Sequence, residues 1–211
     1  MDKLYNVDAS NFVSEQLERR FTSEKINEKF KEQLKITMGD VDTFKVEAFE
    51  GFDVDEILIY LKASHKFYLG VWIPKLENTL LQMHTKMSNQ FWSVKLLSLF
   101  LNAYKKELVH HIEEEEEILF AYVDRLLAGE NSDPYKEMAI SHFVNTHNDN
   151  VVIHLEDLKR DILTFDKELA GDLTFEVLFN QLSVFQEDLF VHGLIEDQVF
   201  LPKVLALAAS K

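Results

Sequence analysis

Residues 110–120 read HHIEEEEEILF. Five consecutive glutamates suggest a solvated helix face, but the preceding residues test that reading. Leu97, Leu101, Tyr104 and Leu108 recur at spacings of 4, 3 and 4, the stripe of an amphipathic helix. Extended at the same period, the stripe lands on His111, Glu115, Ile118 and Tyr122. Glu113, Glu116 and Glu117 turn away from it, and Glu114 lies on its flank. Solvation therefore accounts for three of the glutamates and fails for Glu115. A carboxylate on a buried seam, one turn from a buried imidazole, needs a partner.

The same pattern occurs a second time. Leu178, Leu182, Phe185, Leu189, His192, Glu196 and Val199 form a stripe displaced by 81 residues from Leu97, Leu101, Tyr104, Leu108, His111, Glu115 and Ile118. Two further histidines lie on apolar stripes. His65 falls on Val54, Leu58, Leu61, Tyr68 and Trp72, and His147 on Ile140, Val144 and Val151. They are 82 residues apart. The chain reads as two copies of one helical hairpin. Each copy contributes one histidine from its first helix and H-x-x-x-E from its second.

A chain of 211 residues with 46% hydrophobic content supports one sizeable core. Six glycines and three prolines leave few breaks, and no alternation of the strand type occurs. The reading is all-α: an up-down-up-down four-helix bundle over residues 53–211, preceded by a helical arm and connector over 1–52. In the arm, Val13, Leu17, Ile26, Phe30 and Leu34 read as inward-facing. Met38 to Phe52 reads as the connector. Helix 1 starts at Asp53, where D-V-D-E is a capping-box pattern, and runs to about Lys86, with Pro74 disturbing it near Gly70. Helix 2 spans about Asn89 to Leu127. GENSDP then breaks the chain, with Asp133 as N-cap and Pro134 at the first helical position. Helix 3 ends near Leu169 and helix 4 near Ala209.

Charge and cysteine usage exclude several classes of function. A net charge of −15 repels nucleic acid and anionic lipid. The absence of cysteine removes disulfides, thiolate metal sites and thiol catalysis, and fits a reducing compartment. No apolar run is long enough to span a bilayer, and MDKLYNVDAS does not read as a signal peptide. The expectation is a cytoplasmic protein with no nucleic-acid or membrane partner. Nothing in the sequence points to a particular protein partner.

Four imidazoles and two carboxylates on facing helices make a mixed nitrogen and oxygen donor set without sulfur. Such a set suits iron, manganese or zinc, and in a bundle core it points to paired iron. At this stage the motifs carry a resemblance. H-x-x-x-E-E-x-I-L-F in helix 2, H-x-x-x-E with a following proline in helix 4, YLKASHKFYLGVWIPKLENTLLQMH in helix 1 and THNDN in helix 3 resemble the hemerythrin-like domain. They are most similar to the di-iron proteins of iron-centre repair, over about residues 55–207. The cysteine-bearing N-terminal domain of those proteins has no counterpart in this cysteine-free sequence.

The resemblance implies two iron ions held by His65, His111, Glu115, His147, His192 and Glu196, with manganese or zinc as substitutes. It implies a diatomic gas or a reactive oxygen or nitrogen species as the ligand, in sensing, stress response or iron handling. Binding of metal and ligand fits better than substrate turnover. The oxygen-carrying hemerythrins place H-x-x-x-H in the third helix, whereas Phe143 and Val151 flank His147 here. The two-fold repeat implies a nearly symmetric iron pair, unlike that of the carriers. A helical signalling or interaction module with a structural or vestigial metal site is the competing reading, with residues 1–52 as either its partner-binding part or an arm over the bundle.

Among the remaining residues, His84 reads as a possible accessory group. Tyr68, one turn from His65, reads as a packing residue that could also hydrogen-bond an oxygen ligand of the site. His110, His142 and His154 read as exposed or structural. Trp72, Trp92 and the seventeen phenylalanines read as core.

Overall fold

The computed structural model describes residues 4–22, 24–86, 91–130 and 155–210. All regular structure among them is helical, with no strand. The arm forms two helices, α1 (Leu4–Arg20) and α2 (Glu28–Gly39). Asn27 caps α2 by accepting from the Lys29 backbone N–H. Two 3₁₀ turns, Val41–Thr43 and Val46–Phe49, make up much of the connector. Helix α3 (Val54–Phe67) starts where the capping box placed it: the Asp53 N–H donates to the Glu56 carboxylate at 3.0 Å.

The chain continues through a π turn, Tyr68–Trp72, into α4 (Ile73–Lys86). The missing N–H of Pro74 would have bonded Gly70, so the helix widens by a residue there. Helix α5 (Phe91–Glu114), a π turn (Glu115–Phe120) and α6 (Ala121–Leu127) follow. Helix α7 (Leu155–Phe165) leads to the AGD break, where Gly171 has φ 84° and the Asp172 carboxylate accepts from the Thr174 and Phe175 N–H groups. Helix α8 (Leu173–Ile195), a π turn (Glu196–Phe200) and α9 (Leu201–Ala209) end the fold. The third expected helix is described only over α7. Asp133, Ile140, His142, Val144, His147, Val151 and His154 lie outside the described residues.

Two compact units divide the chain, Met1–Tyr68 with Glu187–Lys211 and Leu69–Gln186. In the first, Leu17, Phe30, Leu34, Phe49, Tyr60, Leu61, Phe200 and Val204 are buried. Phe30 sits edge-on to Phe49 and Phe52, with centroids 5.7 and 4.9 Å away. In the second, Trp72 stacks on Phe185 at 5.4 Å, and Tyr104 meets Phe185 edge-on at 6.0 Å. Each fully buried ring contributes roughly 2–3 kcal/mol of transfer free energy.

Several expected core residues are not core. Trp92 is 76% exposed, Phe165 86% and Phe190 57%. Lys95 lies 5.2 Å from the centre of the Trp92 ring, a surface cation–π contact. Ile118 is only partly buried, whereas Leu119 and Phe120 are buried. The π turn causes this: one extra residue in the turn carries the apolar face past Ile118. Leu189 is likewise partly covered, while Asp188 beside it is buried. Ile26 in the arm is half-buried.

Candidate metal centre

The two H-x-x-x-E segments share a backbone form. In each, an α-helix gives way to a π turn whose first residue is the glutamate, Glu115 or Glu196. π turns inside α-helices recur at functional sites because they turn side chains that a regular helix would direct elsewhere. Pro202 follows the second π turn, as Pro74 follows Tyr68–Trp72. No proline lies in or just after Glu115–Phe120, so that turn has no such local cause.

In the first unit, His65, His192 and Glu196 are buried, with 2%, 5% and 0% exposure. The His65 and His192 rings are 5.1 Å apart, and each offers a ring nitrogen within 4.8 Å of the other's. The Glu196 Oε2 lies 3.5 Å from the His192 Nε2. Two ligands at about 2.1 Å from one ion lie roughly 3–4 Å apart, so small side-chain adjustments bring these nitrogens onto a common ion. The donor chemistry, imidazole and carboxylate without sulfur, fits iron, manganese or zinc.

Behind His192 is a polar wall that the sequence reading did not find. Arg20, at the end of α1, has a fully buried side chain and pairs with Asp188 at 2.5 Å. Its second amino group donates to the Ser64 hydroxyl at 3.1 Å. The Tyr68 hydroxyl donates to Asp188 at 3.0 Å. Three aromatic rings surround the guanidinium, with the Arg20 Cζ 5.0 Å from the centre of Phe67, 5.5 Å from Tyr68 and 5.9 Å from Tyr60. Tyr68 and Tyr60 in turn lie 5.6 and 5.9 Å from the His192 ring. Burial opposes the charge on Arg20, but Asp188 and the two phenols more than offset it and raise its pKa above the ordinary value. Burial, reinforced by Asp188, raises both tyrosine pKa values above the ordinary phenol range, so both stay protonated.

Two sequence signals for this wall existed. Asp188 lies four residues before His192, extending the seam to D-x-x-x-H-x-x-x-E. Arg20 continues the stripe of Val13 and Leu17.

In the second unit, Glu115 is buried at 4% exposure and its Oε1 lies 2.8 Å from the His111 Nε2. The His111 side chain is 41% exposed, more open than a seam position implies. Glu113, Glu116 and Glu117 are exposed and Glu114 is half-buried, as the helical phase required. His84 is exposed, with its Nε2 2.8 Å from the Ser98 hydroxyl. His110 is exposed beside Glu114. The fourth histidine, His147, lies outside the described residues. No helix among the described residues is long and apolar enough to cross a membrane.

The family model of the hemerythrin HHE cation-binding domain matches residues 75–204. This chain belongs to the hemerythrin family. The hemerythrin match contains His111, Glu115, His147, His192 and Glu196, and begins ten residues after His65. The all-α fold is a hemerythrin-like helical bundle, and the His/Glu donors give it the metal-binding character of that family. No curated protein and no solved structure matches the chain.

Proposed function

We propose that this hemerythrin-family chain is a non-haem di-iron protein that binds O2, NO or a reactive oxygen or nitrogen species, in sensing, stress response or iron handling. His65, His111, Glu115, His147, His192 and Glu196 hold the two ions, with His147 included on its place in the repeat. The supporting observation is the doubled helix, in which each H-x-x-x-E pair sits where α turns into π. The motifs quoted above favour kinship with the iron-centre repair proteins, and the cysteine-free composition favours the cytoplasm.

When bound, an iron pair supplies electrons and open coordination positions to a small ligand. The chain's own residues do the rest. His65 and His192 supply neutral nitrogen donors, and Glu115 and Glu196 supply charge that offsets the cations. The rings of Tyr60 and Tyr68 cover His192 and keep bulk water from it. Asp188, fixed by Arg20 and Tyr68, holds the helix one turn before His192 in place.

The test is elemental analysis of chain purified without chelator after iron-supplemented growth, together with a near-ultraviolet spectrum. The expected result is about two irons per chain, as in paired-metal bundles, and the absorption of a coupled ferric pair. Metal content near zero in folded protein would sink this reading. A single ion without that absorption would favour a structural site in an interaction module.

A further inference from the structure

Arg20 does more than neutralise Asp188. An arginine that serves one carboxylate often meets it with two parallel N–H groups. Arg20 instead divides its amino groups between two helices. One donates to Asp188 on α8 at 2.5 Å, and the other to the Ser64 hydroxyl on α3 at 3.1 Å. Its Nε has no partner among the described residues. The Ser64 hydroxyl donates in turn to the Tyr60 carbonyl oxygen at 2.9 Å, which leaves its oxygen to accept from Arg20. Both contacts lie beside donors of the candidate metal centre. Ser64 directly precedes His65, and Asp188 stands one turn before His192. The guanidinium thus joins the two helices whose histidine rings lie 5.1 Å apart. It comes from neither helix but from the end of α1, in the N-terminal arm. Two further ties of the arm to α3, Glu24 to Lys66 and Asn27 to Glu56, are exposed, and a surface ion pair contributes little.

We propose that Arg20 is a positioning residue for the metal centre: by holding Ser64 and Asp188 together it sets the spacing of His65 and His192, so that docking of the N-terminal arm and binding of metal favour one another. The proposal rests on the metal-binding reading above. Two imidazoles share one ion only when their nitrogens stand roughly 3–4 Å apart. A slip of roughly 1 Å between the two helices is enough to loosen such a site. Coupling of this kind is reciprocal: whatever factor arm docking adds to metal affinity, metal adds to arm docking. Residues 1–52 then act as a latch on the metal centre, and loss of the ion loosens the latch.

The test uses the full chain and ferrous iron, titrated without oxygen against a competing chelator. Arg20→Met alone strands a buried carboxylate, so the decisive variant is Arg20→Met combined with Asp188→Leu. It removes both charges at once, which keeps the local net charge and, for a buried pair replaced by apolar side chains, most of the stability. Iron affinity of this double variant is expected to fall by roughly tenfold or more, while its metal-free melting temperature stays close to that of the parent. Arg20→Lys keeps the charge opposite Asp188 but has one ammonium in place of the planar fork. It should lose about threefold or more in affinity, and it decides the question if the double variant does not fold. Hydrogen exchange supplies the reciprocal readout. Iron should slow exchange of the α1 amides in the parent, and the double variant at saturating iron should lose that slowing.

Two results would overturn the proposal while leaving the metal reading intact. One is iron affinity within about twofold of the parent in the double variant, or in Arg20→Lys where that variant does not fold, which would leave Arg20 a purely structural residue. The other is equal slowing of α1 exchange by iron in parent and double variant, since a general stabilisation acts on either. Absence of iron binding by the parent would overturn the metal reading, and this proposal with it.

Discussion

The helix carrying His111 and Glu115 and the helix carrying His192 and Glu196 have the same motif, the same π turn at the glutamate and an offset of 81 residues. Their surroundings differ. In the second, Asp188, His192 and Glu196 form a buried polar ladder, at 4%, 5% and 0% exposure. In the first, the residue matching Asp188 is Glu107, which is exposed, and His111 is open enough to meet water. A carboxylate stands at both positions, but only Asp188 has a buried guanidinium to neutralise it. The two helices share a backbone form, and Arg20 of the N-terminal arm gives one of them a buried ion pair. The two helices match in backbone form but not in the burial of their histidines.

The largest effect should come from breaking this difference at its source. Arg20→Met leaves the Asp188 carboxylate buried without its cation, which costs roughly 3–5 kcal/mol. Urea denaturation of the metal-free chain measures this directly. Arg20→Met combined with Asp188→Leu should recover most of the loss, because both charges leave together. Glu107→Gln, the matching change on the other helix, should stay within about 0.5 kcal/mol. Similar losses from Glu107→Gln and Arg20→Met would erase the comparison.

Next in size are the ligand substitutions. Glu196→Gln and Glu115→Gln should both lower iron content, since a neutral amide is a poor anionic donor. The fully buried Glu196 should show the larger fall. His192→Ala should reduce iron retention against a chelator more than His111→Ala, because the half-exposed imidazole is more readily replaced by water. The reverse order, measured by elemental analysis after identical chelator washes, would show that exposure does not rank these ligands.

A smaller effect should appear at alkaline pH. Tyr60, Tyr68 and Tyr104 all have folded-state pKa values raised above the ordinary phenol value, chiefly by burial. The folded chain therefore keeps protons that the unfolded chain releases above about pH 10. Stability from these groups is fully present below that pH and is lost as pH rises toward the folded values, with a limiting slope of about 1.4 kcal/mol per pH unit for each phenol. Tyr104→Phe should flatten the curve of melting temperature against pH above 10 and leave it unchanged near neutrality. A change near neutrality alone would assign the residue to packing rather than to linkage.

How much of this was legible in the sequence depends on the range of each interaction. Helix starts and stops are local. The capping box at Asp53 and the ends near Leu127 and Ala209 follow from residues a few positions apart. The seam through His111, Glu115, His192 and Glu196 follows from periodicity. The π turns do not, because a fixed period cannot register one inserted residue, and so Ile118 was expected where Leu119 is buried. The Arg20–Asp188 pair joins residues 168 apart, so the local period that sets each on a helix face does not name its partner. Trp92 shows the converse: an aromatic ring at helical spacing reads as core, yet this one is exposed.

The smallest expected effect belongs to the run of five glutamates, Glu113 to Glu117. Glu113, Glu116 and Glu117 are exposed and Glu115 is not. Glu113→Gln, Glu116→Gln and Glu117→Gln should therefore leave iron content at the parental value, in contrast to Glu115→Gln. Stability should move slightly in the favourable direction. Residues three and four apart share a helix face, so Glu113 repels both Glu116 and Glu117 at low ionic strength. Salt screens that repulsion, and the gain from Glu113→Gln should fade as ionic strength approaches 1 M, where the Debye length is about 3 Å. Melting curves at low and high salt, with iron content measured on the same samples, check both halves of the expectation. Iron loss from any of the three would place a metal-binding role on the exposed face. A stability gain that persists at high salt would show that something other than charge repulsion governs that face, such as the π turn that begins at Glu115.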